Sequence, residues 1–259
     1  MGHTVVARLP ASERWRVVVG LLHAPSPDAP AVAGATVLAA ERRLRQLGHD
    51  PSLTYCFWLL TRLASAARGP DFLDEVARLG VPARRDDTAL QFVARVADRA
   101  RSELGRHPES GPFGEIASLA LGRALAETVG TEGRSLFGSS LEDLERAFRR
   151  HASDRQFGDL AGRFFGDFVA RTLRFYVDRE LPHAVGGGGL ATVGASADFA
   201  AALDLHSRQT ARAVELFAVG WYGKRRWETL GAIGHEDAQG FVAHALQKLR
   251  TALLLEAGR

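Results

Sequence analysis

The densest group of side chains able to do chemistry lies in a short segment in the C-terminal part of the chain. It combines aromatic and cationic residues: Trp221, Tyr222, Lys224, Arg225, Arg226 and Trp227. Aromatic rings stack on unpaired bases while neighbouring cations contact phosphates, so this composition suits single-stranded nucleic acid or a phosphorylated ligand. Tryptophan, tyrosine and arginine are also the usual anchors of protein interfaces. In the simplest alternative, the two tryptophans fill a junction between the last two long helices and the cations remain in water.

A second candidate consists of three arginines, Arg171, Arg174 and Arg179, which come shortly before the glycine run at 186–189. The planar guanidinium bonds phosphate and carboxylate through two parallel hydrogen bonds, and the amides of a glycine-rich loop can face an anion. No predicted strand precedes this loop, and neither GxxxxGK[ST] nor GxGxxG fits it. A flexible linker is therefore the expected structure, and the three arginines are tentative binding residues.

Histidine and cysteine spacing does not predict a metal centre or a cofactor. His206 falls in the apolar stripe of its predicted helix, where it is either a general base beside a carboxylate or a core residue with one hydrogen bond. We expect the core residue. His235 and His244 are too far apart to share a zinc ion in the i,i+4 manner. The single cysteine, Cys56, excludes an internal disulfide framework and indicates a reducing compartment.

These residues must be positioned by helices, and the strongest helical pattern covers residues 153–181. One face repeats apolar residues from Phe157 through Phe164 and Phe168 to Phe175, and another alternates acids and arginines from Asp159 to Asp178. The pattern predicts a long helix that is central to the C-terminal half. Its charged face is expected either in solvent or in a charged seam. Partners for such a seam are predicted on the following long helix: Asp204, Arg208, Arg212 and Glu215.

Helical periodicity with well-placed caps extends along the whole chain and predicts an all-α globular bundle of about ten helices. Asp50 with Pro51, and Ser140, are the clearest helix starts. A stretch at 3–9 could be a short extended piece, and residues 221–234 are expected to be irregular or a short helix. The glycine-rich stretch 130–140 is the predicted boundary between lobes 1–130 and 141–259, with one continuous domain as the alternative. The other predicted helices span 12–23, 31–47, 51–68, 71–79, 86–104, 113–129, 141–151, 196–219 and 236–256.

Composition narrows the class of protein further. A chain of 259 residues with 46% hydrophobic content can bury a full core. Lysine occurs only at Lys224 and Lys248, and such a preference for arginine is typical of a GC-rich bacterial genome. The first residues show no secretory h-region, and the apolar run at 53–60 is too short to span a bilayer. We therefore expect a cytoplasmic protein without a membrane segment.

The leading functional hypothesis is a non-catalytic, all-helical interaction protein, an accessory subunit of a bacterial multi-protein system. It rests on the lack of catalytic motifs together with the supply of arginine and aromatic residues, and it predicts a protein partner or self-association. The first alternative is a nucleic-acid-binding protein that uses residues 221–227. The second is an enzyme with a histidine, aspartate and arginine site between the long C-terminal helices. A small-ligand sensor is a further possibility.

Overall fold

The computed structural model describes residues 12–130, 140–186, 190–229 and 232–258. It confirms the all-α prediction, because these residues fold into packed helices and contain no strand; one isolated β-bridge pairs Thr88 with Ser140. The helices are α1 (Glu13–Leu22), α2 (Ala29–Ala39), α3 (Glu41–Leu47), α4 (Pro51–Ala66), α5 (Phe72–Arg78), α6 (Ala89–Leu104), α7 (Pro112–Gly130), α8 (Leu141–His151), α9 (Asp154–Val177), α10 (Leu181–Ala184), α11 (Val193–Thr210), α12 (Arg212–Glu228) and α13 (His235–Ala257), with a 3-10 turn at Pro108–Ser110.

Helix starts follow local capping chemistry. The Asp50 carboxylate accepts the backbone N–H of Leu53 at 3.0 Å, and the Ser140 hydroxyl accepts that of Asp143 at 3.2 Å, as predicted. The predicted cap of α6 at 86 or 87 is wrong. Thr88 caps this helix, while Asp87 is buried and receives a hydrogen bond of 2.7 Å from Arg95.

Four predicted segments differ from the structure. The single helix predicted at 196–219 starts at Val193 and is divided at Ala211 into α11 and α12. The helix predicted at 31–47 is divided at Ala40, whose backbone is not helical. The long helix predicted at 153–181 ends at Val177, and Leu181–Ala184 forms the separate helix α10. Pro182 explains this division, because a proline lacks the N–H that a continuing helix would need. Residues 221–228 are neither irregular nor a short piece but belong to α12.

The predicted central role of the long helix is confirmed, since α9 packs against α7, α11 and α12. Phe164 and Phe168 are buried, as expected. Phe175, which was expected to be buried as well, is only partly buried at the edge of the core, where the guanidinium of Arg179 lies 4.1 Å from the centre of its ring.

Two glycines let α9 approach α11 and α12 closely. A Cβ atom added at Gly158 would lie 2.8 Å from the carbonyl oxygen of Glu215, and one added at Gly166 would lie 3.2 Å from the Cβ of Ala211. Residue numbers rise along α9 as they fall along α11 and α12. The two long segments are therefore antiparallel neighbours, and glycine is required where their backbones come closest.

Buried residues from both halves of the chain form one hydrophobic cluster. Phe57 of α4 lies at its centre, with ring centroids 5.2 Å from Phe165 and 4.6 Å from Phe241. The two predicted lobes thus share apolar contacts. Most of the predicted boundary at 130–140, and the extended piece predicted at 3–9, lie outside the described residues. No helix among the described ranges is long and apolar enough to cross a membrane.

Candidate functional site

The aromatic residues of the predicted segment 221–227 separate by burial. Tyr222 is fully buried, stacks on Phe157 with ring centroids 3.9 Å apart, and shares a hydrogen bond of 3.1 Å with the hydroxyl of Ser65. This burial raises the pKa of the Tyr222 phenol. Trp221 is partly buried, with its ring 4.5 Å from that of Phe241. Tyr222 therefore presents no free face for stacking on a base, and Trp221 packs at the edge of the core.

The cations of the segment face carboxylates or carbonyl oxygens. Arg225 Nη1 lies 3.0 Å from Glu228 Oε2, and Lys224 Nζ lies 3.8 Å from the other oxygen of the same carboxylate. Arg226 donates a hydrogen bond of 3.0 Å to the carbonyl of Ala152. Their positive charge is therefore partly balanced by neighbours on the protein itself.

One ring of the segment does reach solvent. Trp227 is 84% exposed, and Leu216, which is 82% exposed, precedes it by eleven residues on α12. Eleven residues correspond to just over three helical turns, so the two side chains share one face about 16 Å apart. Gly220 and Lys224 are exposed between them, and no described atom lies within 4 Å of a Cβ added at Gly220. We call these four residues the α12 outer face.

The three arginines of the second candidate do not join this face. Arg174 lies 2.7 Å from Asp178 and 3.4 Å from Asp204, and Arg179 lies over the ring of Phe175. Gly223 of α12, in contrast, faces Asp154 at the start of α9. The 20 residues from Asp154 to Arg174 correspond to about 30 Å of helix. The structure thus places the two predicted sets at opposite ends of α9.

Much of the charged stripe on α9 forms the predicted seam with α11. Asp167 is 2% exposed, and it lies 2.8 Å from Arg208 Nη2 and 2.5 Å from Arg171 Nε. Arg208 also reaches Glu127 of α7 at 3.3 Å. With the Arg174–Asp204 contact, these pairs confirm that the charges of α9 and α11 meet. Arg171 and Arg174, which the sequence suggested as ligand-binding residues, are therefore paired with carboxylates of the protein itself.

His206 is buried, as expected for a core residue. Its Nδ1 lies 3.3 Å from Oε2 of Glu256 on α13, and no hydrogen-bond partner for its Nε2 occurs among the described residues. The carboxylate beside it therefore comes from α13 and not from the long helix α9.

A different histidine meets a carboxylate and an arginine of α9. His151 Nδ1 is 2.9 Å from the carbonyl of Ala147, and its Nε2 is 3.4 Å from Asp159 Oδ2, the oxygen that Arg163 approaches at 2.8 Å. The His151 contact, together with Arg163, holds the pKa of Asp159 below its ordinary value. Sequence reasoning missed this group because His151 ends α8 and carries no spacing relation to α9.

Glu215 of α12 lies against the same part of α9. Burial, and then the nearby charge of Asp159, raises the pKa of the Glu215 carboxyl above its ordinary value. The two carboxyls therefore have pKa values displaced in opposite directions, which is a known arrangement at acid–base sites and also occurs in structural charge networks.

The described residues contain no group of three or more side chains placed to hold a metal ion. Cys56 is buried, and this burial raises the pKa of its thiol. Comparisons with protein-family models, curated proteins and solved structures found no match to this chain.

Proposed function

We propose that this protein is a non-catalytic interaction protein that binds an amphipathic helix of a protein partner on the α12 outer face. The observation that supports this most is the exposure of Leu216 and Trp227 on one side of a single helix. Tryptophan is among the residues that contribute most to the free energy of protein binding, because a large rigid area is buried at little entropic cost. An accessory role in a cytoplasmic bacterial multi-protein system is part of the same proposal.

The shape of the α12 outer face favours a helix as its binding partner. Gly220 leaves a shallow depression between the two large side chains, and helices approach most closely where one of them carries a glycine. A partner helix crossing at Gly220 would contact Leu216 on one side and Trp227 on the other. The exposed Lys224 would lie beside it, so acidic residues are expected next to the apolar stripe of the partner.

The alternatives have less geometric support. For nucleic acid, Trp227 is the exposed ring of the 221–227 segment, and the arginines of both predicted sets contact other groups of the protein. For catalysis, the His151, Asp159 and Arg163 group has the residue types but is held together by its own hydrogen bonds and ion pairs.

The test begins with a photo-crosslinking amino acid in place of Trp227, introduced into the protein in its native cells. Val17 is the matched control position, since it is an apolar residue 57% exposed on α1, a helix that packs mainly on α2. We expect a specific crosslink to a second protein at position 227 and none at position 17. The partner is then purified, and its affinity is measured with the intact chain and with variants.

Replacing both Leu216 and Trp227 by alanine should weaken binding by roughly 1,000-fold, since truncating each of the two anchor residues costs about 2 kcal/mol and every 1.4 kcal/mol is a factor of ten. Val17→Ala should leave the affinity within about twofold. A crosslink to a second copy of the chain would show that the α12 outer face mediates self-association and not the binding of a different protein. Equal crosslinking at both positions, or an affinity unchanged in the double variant, would refute the proposal.

A further inference from the structure

A cavity of about 340 Å³ lies between α2 and α3 on one side and α9 and α13 on the other. Its walls are mainly apolar, with Phe168 and Leu173 from α9 facing Leu249 and Leu253 from α13. Three exposed residues, Arg45, His49 and Gln247, also line it and mark the side that opens to solvent. Sites for small molecules commonly have this size and character, with a few polar groups that fix the orientation of the ligand.

Two buried polar groups of this lining lack a hydrogen-bond partner among the described residues, the Thr172 hydroxyl and the Arg250 Nε. Thr172 is 2% exposed. A hydroxyl inside a helix usually bonds the carbonyl four residues earlier, as Thr36 does at 2.7 Å and Thr210 at 2.9 Å. Two of the nine unpaired side-chain atoms found among the described residues thus line this one cavity, where a ligand can supply the partner that buried polar groups normally have.

The charge at this cavity is positive. Its described lining includes Arg45 and Arg250 and no carboxylate. The carboxylate of Glu41 lies just beside the cavity. Its oxygens lie 2.5 Å from the guanidinium of Arg250, 2.7 Å from that of Arg45 and 2.9 Å from that of Arg14. The hydrogen bond from Arg14 and the charges of the other two arginines lower the pKa of Glu41. One ionised carboxylate thus faces three guanidinium groups, which leaves an excess of positive charge.

From these observations we infer that the cavity binds a small amphipathic anion, a carboxylate attached to an alkyl or aryl body. The body occupies the space between Phe168 and Leu249. The carboxylate accepts hydrogen bonds from the Thr172 hydroxyl and from Arg250 Nε, while Arg45 attracts it electrostatically. This inference is independent of the α12 outer face, because none of the residues of that face lines the cavity.

The test uses decanoate and 4-phenylbutyrate, kept below their micelle concentrations, and measures their affinity for the full chain by titration calorimetry. Decanol is the matched ligand control, since it keeps the alkyl body and removes the charge. We expect decanoate to bind at least tenfold more tightly than decanol. If decanol binds equally well, or neither carboxylate binds, the inference is wrong.

Thr172→Val removes the hydroxyl while keeping the shape of the side chain, and it should weaken decanoate binding by about tenfold. Its matched control is Thr54→Val, since Thr54 is also buried with an unpartnered hydroxyl but does not line this cavity. Both variants should keep or slightly raise the thermal midpoint without ligand, because each loses an unpaired polar group. Equal affinities for decanoate in the two variants would overturn the assignment of Thr172.

Arg45→Gln tests the electrostatic part of the inference. The side chain of Arg45 is 70% exposed, so its replacement should leave the fold intact. We expect a weaker affinity for decanoate and a smaller dependence of that affinity on salt, with decanol binding unchanged. An equal change for decanoate and decanol would show that Arg45 acts on the cavity wall and not on the charge of the ligand.

Discussion

Arg208 of α11 donates a hydrogen bond of 2.8 Å from Nη2 to Oδ1 of Asp167 on α9. Because Asp167 is 2% exposed, its carboxylate has exchanged water for two guanidinium groups, the second from Arg171. A buried ion pair contributes little net stability compared with apolar residues of similar size, yet removing one partner leaves an uncompensated charge. The contact therefore fixes how α9 and α11 lie against each other.

Arg208→Met should lower the free energy of unfolding by about 3 kcal/mol, because Asp167 would stay buried with only one of its two cations. Urea denaturation of the intact chain measures this. Arg101→Met is the control, since Arg101 pairs with Asp98 where both side chains are at least half exposed, and an exposed pair contributes about 0.5 kcal/mol. Equal losses in the two variants would contradict a special role for the buried pair.

The glycines of α9 offer a second matched comparison. Gly158→Ala should destabilise the protein by about 2 kcal/mol, since its Cβ would lie 2.8 Å from the backbone oxygen of Glu215 and force the helices apart. Gly122→Ala should stabilise it by up to about 1 kcal/mol, because Gly122 lies inside α7 with no described atom near an added Cβ, and alanine favours the helix. Thermal or urea unfolding should therefore shift in opposite directions for the two variants. A gain in stability for Gly158→Ala would show that the contact can relax.

Glu215 predicts a pH dependence with a definite sign. Its pKa is raised in the folded protein, so the folded state binds this proton more tightly than the unfolded chain does. The stability that Glu215 contributes is therefore greatest at low pH and is lost as the pH rises from the unfolded pKa through the folded one. Asp159 acts in the opposite sense, since its lowered pKa contributes stability that is lost as the pH falls.

Glu215→Gln removes the pH dependence that comes from the raised pKa of Glu215 and leaves the one that comes from the lowered pKa of Asp159. Relative to the original chain, we expect the thermal midpoint of this variant to be higher near pH 7 and to approach the original value near pH 4. A series of thermal melts across this range measures the difference. Glu256→Gln is a useful control on α13, because it removes a carboxylate beside His206 and not beside Asp159. A difference that grows toward low pH for Glu215→Gln would contradict the assigned direction.

Features set by neighbours in sequence could be predicted, and features set by distant packing could not. The starts of α4 and α8 depend on Asp50 and Ser140, whose side chains bond the backbone three residues later. Arg208 was a predicted partner of the α9 charges because both stripes follow helical periodicity. The break at Ala40 has no such signal in the residues around it, and alanine is the strongest helix former.

Which of the residues 221–227 are buried also depends on packing, and the sequence analysis did not predict it. Tyr222 follows Val214 and Ala218 at steps of four, so an apolar stripe through these three residues could have revealed that it is buried. Trp227 lies on the opposite side of α12, and composition alone gave both rings the same weight. The cavity could not be predicted from the sequence, because its walls come from α2, α3, α9 and α13. The arrangement of these four helices depends on the packing of the whole bundle.

The nucleic-acid hypothesis makes a prediction that opposes the proposed interaction. If residues 221–227 bound single strands through phosphate contacts, affinity would fall steeply with salt and would be lost when Arg225 and Arg226 are replaced by glutamine. We expect instead that the intact chain shows no salt-sensitive binding to a labelled single-stranded RNA or DNA in fluorescence anisotropy. The physical reason is that Tyr222 is buried and that Arg225 already contacts Glu228. Trp227→Ala, by contrast, should weaken the protein complex while leaving the thermal midpoint nearly unchanged, because an 84% exposed side chain contributes little to the fold. A low-micromolar affinity for a single strand that disappears with the two arginines would reverse the order of the two hypotheses.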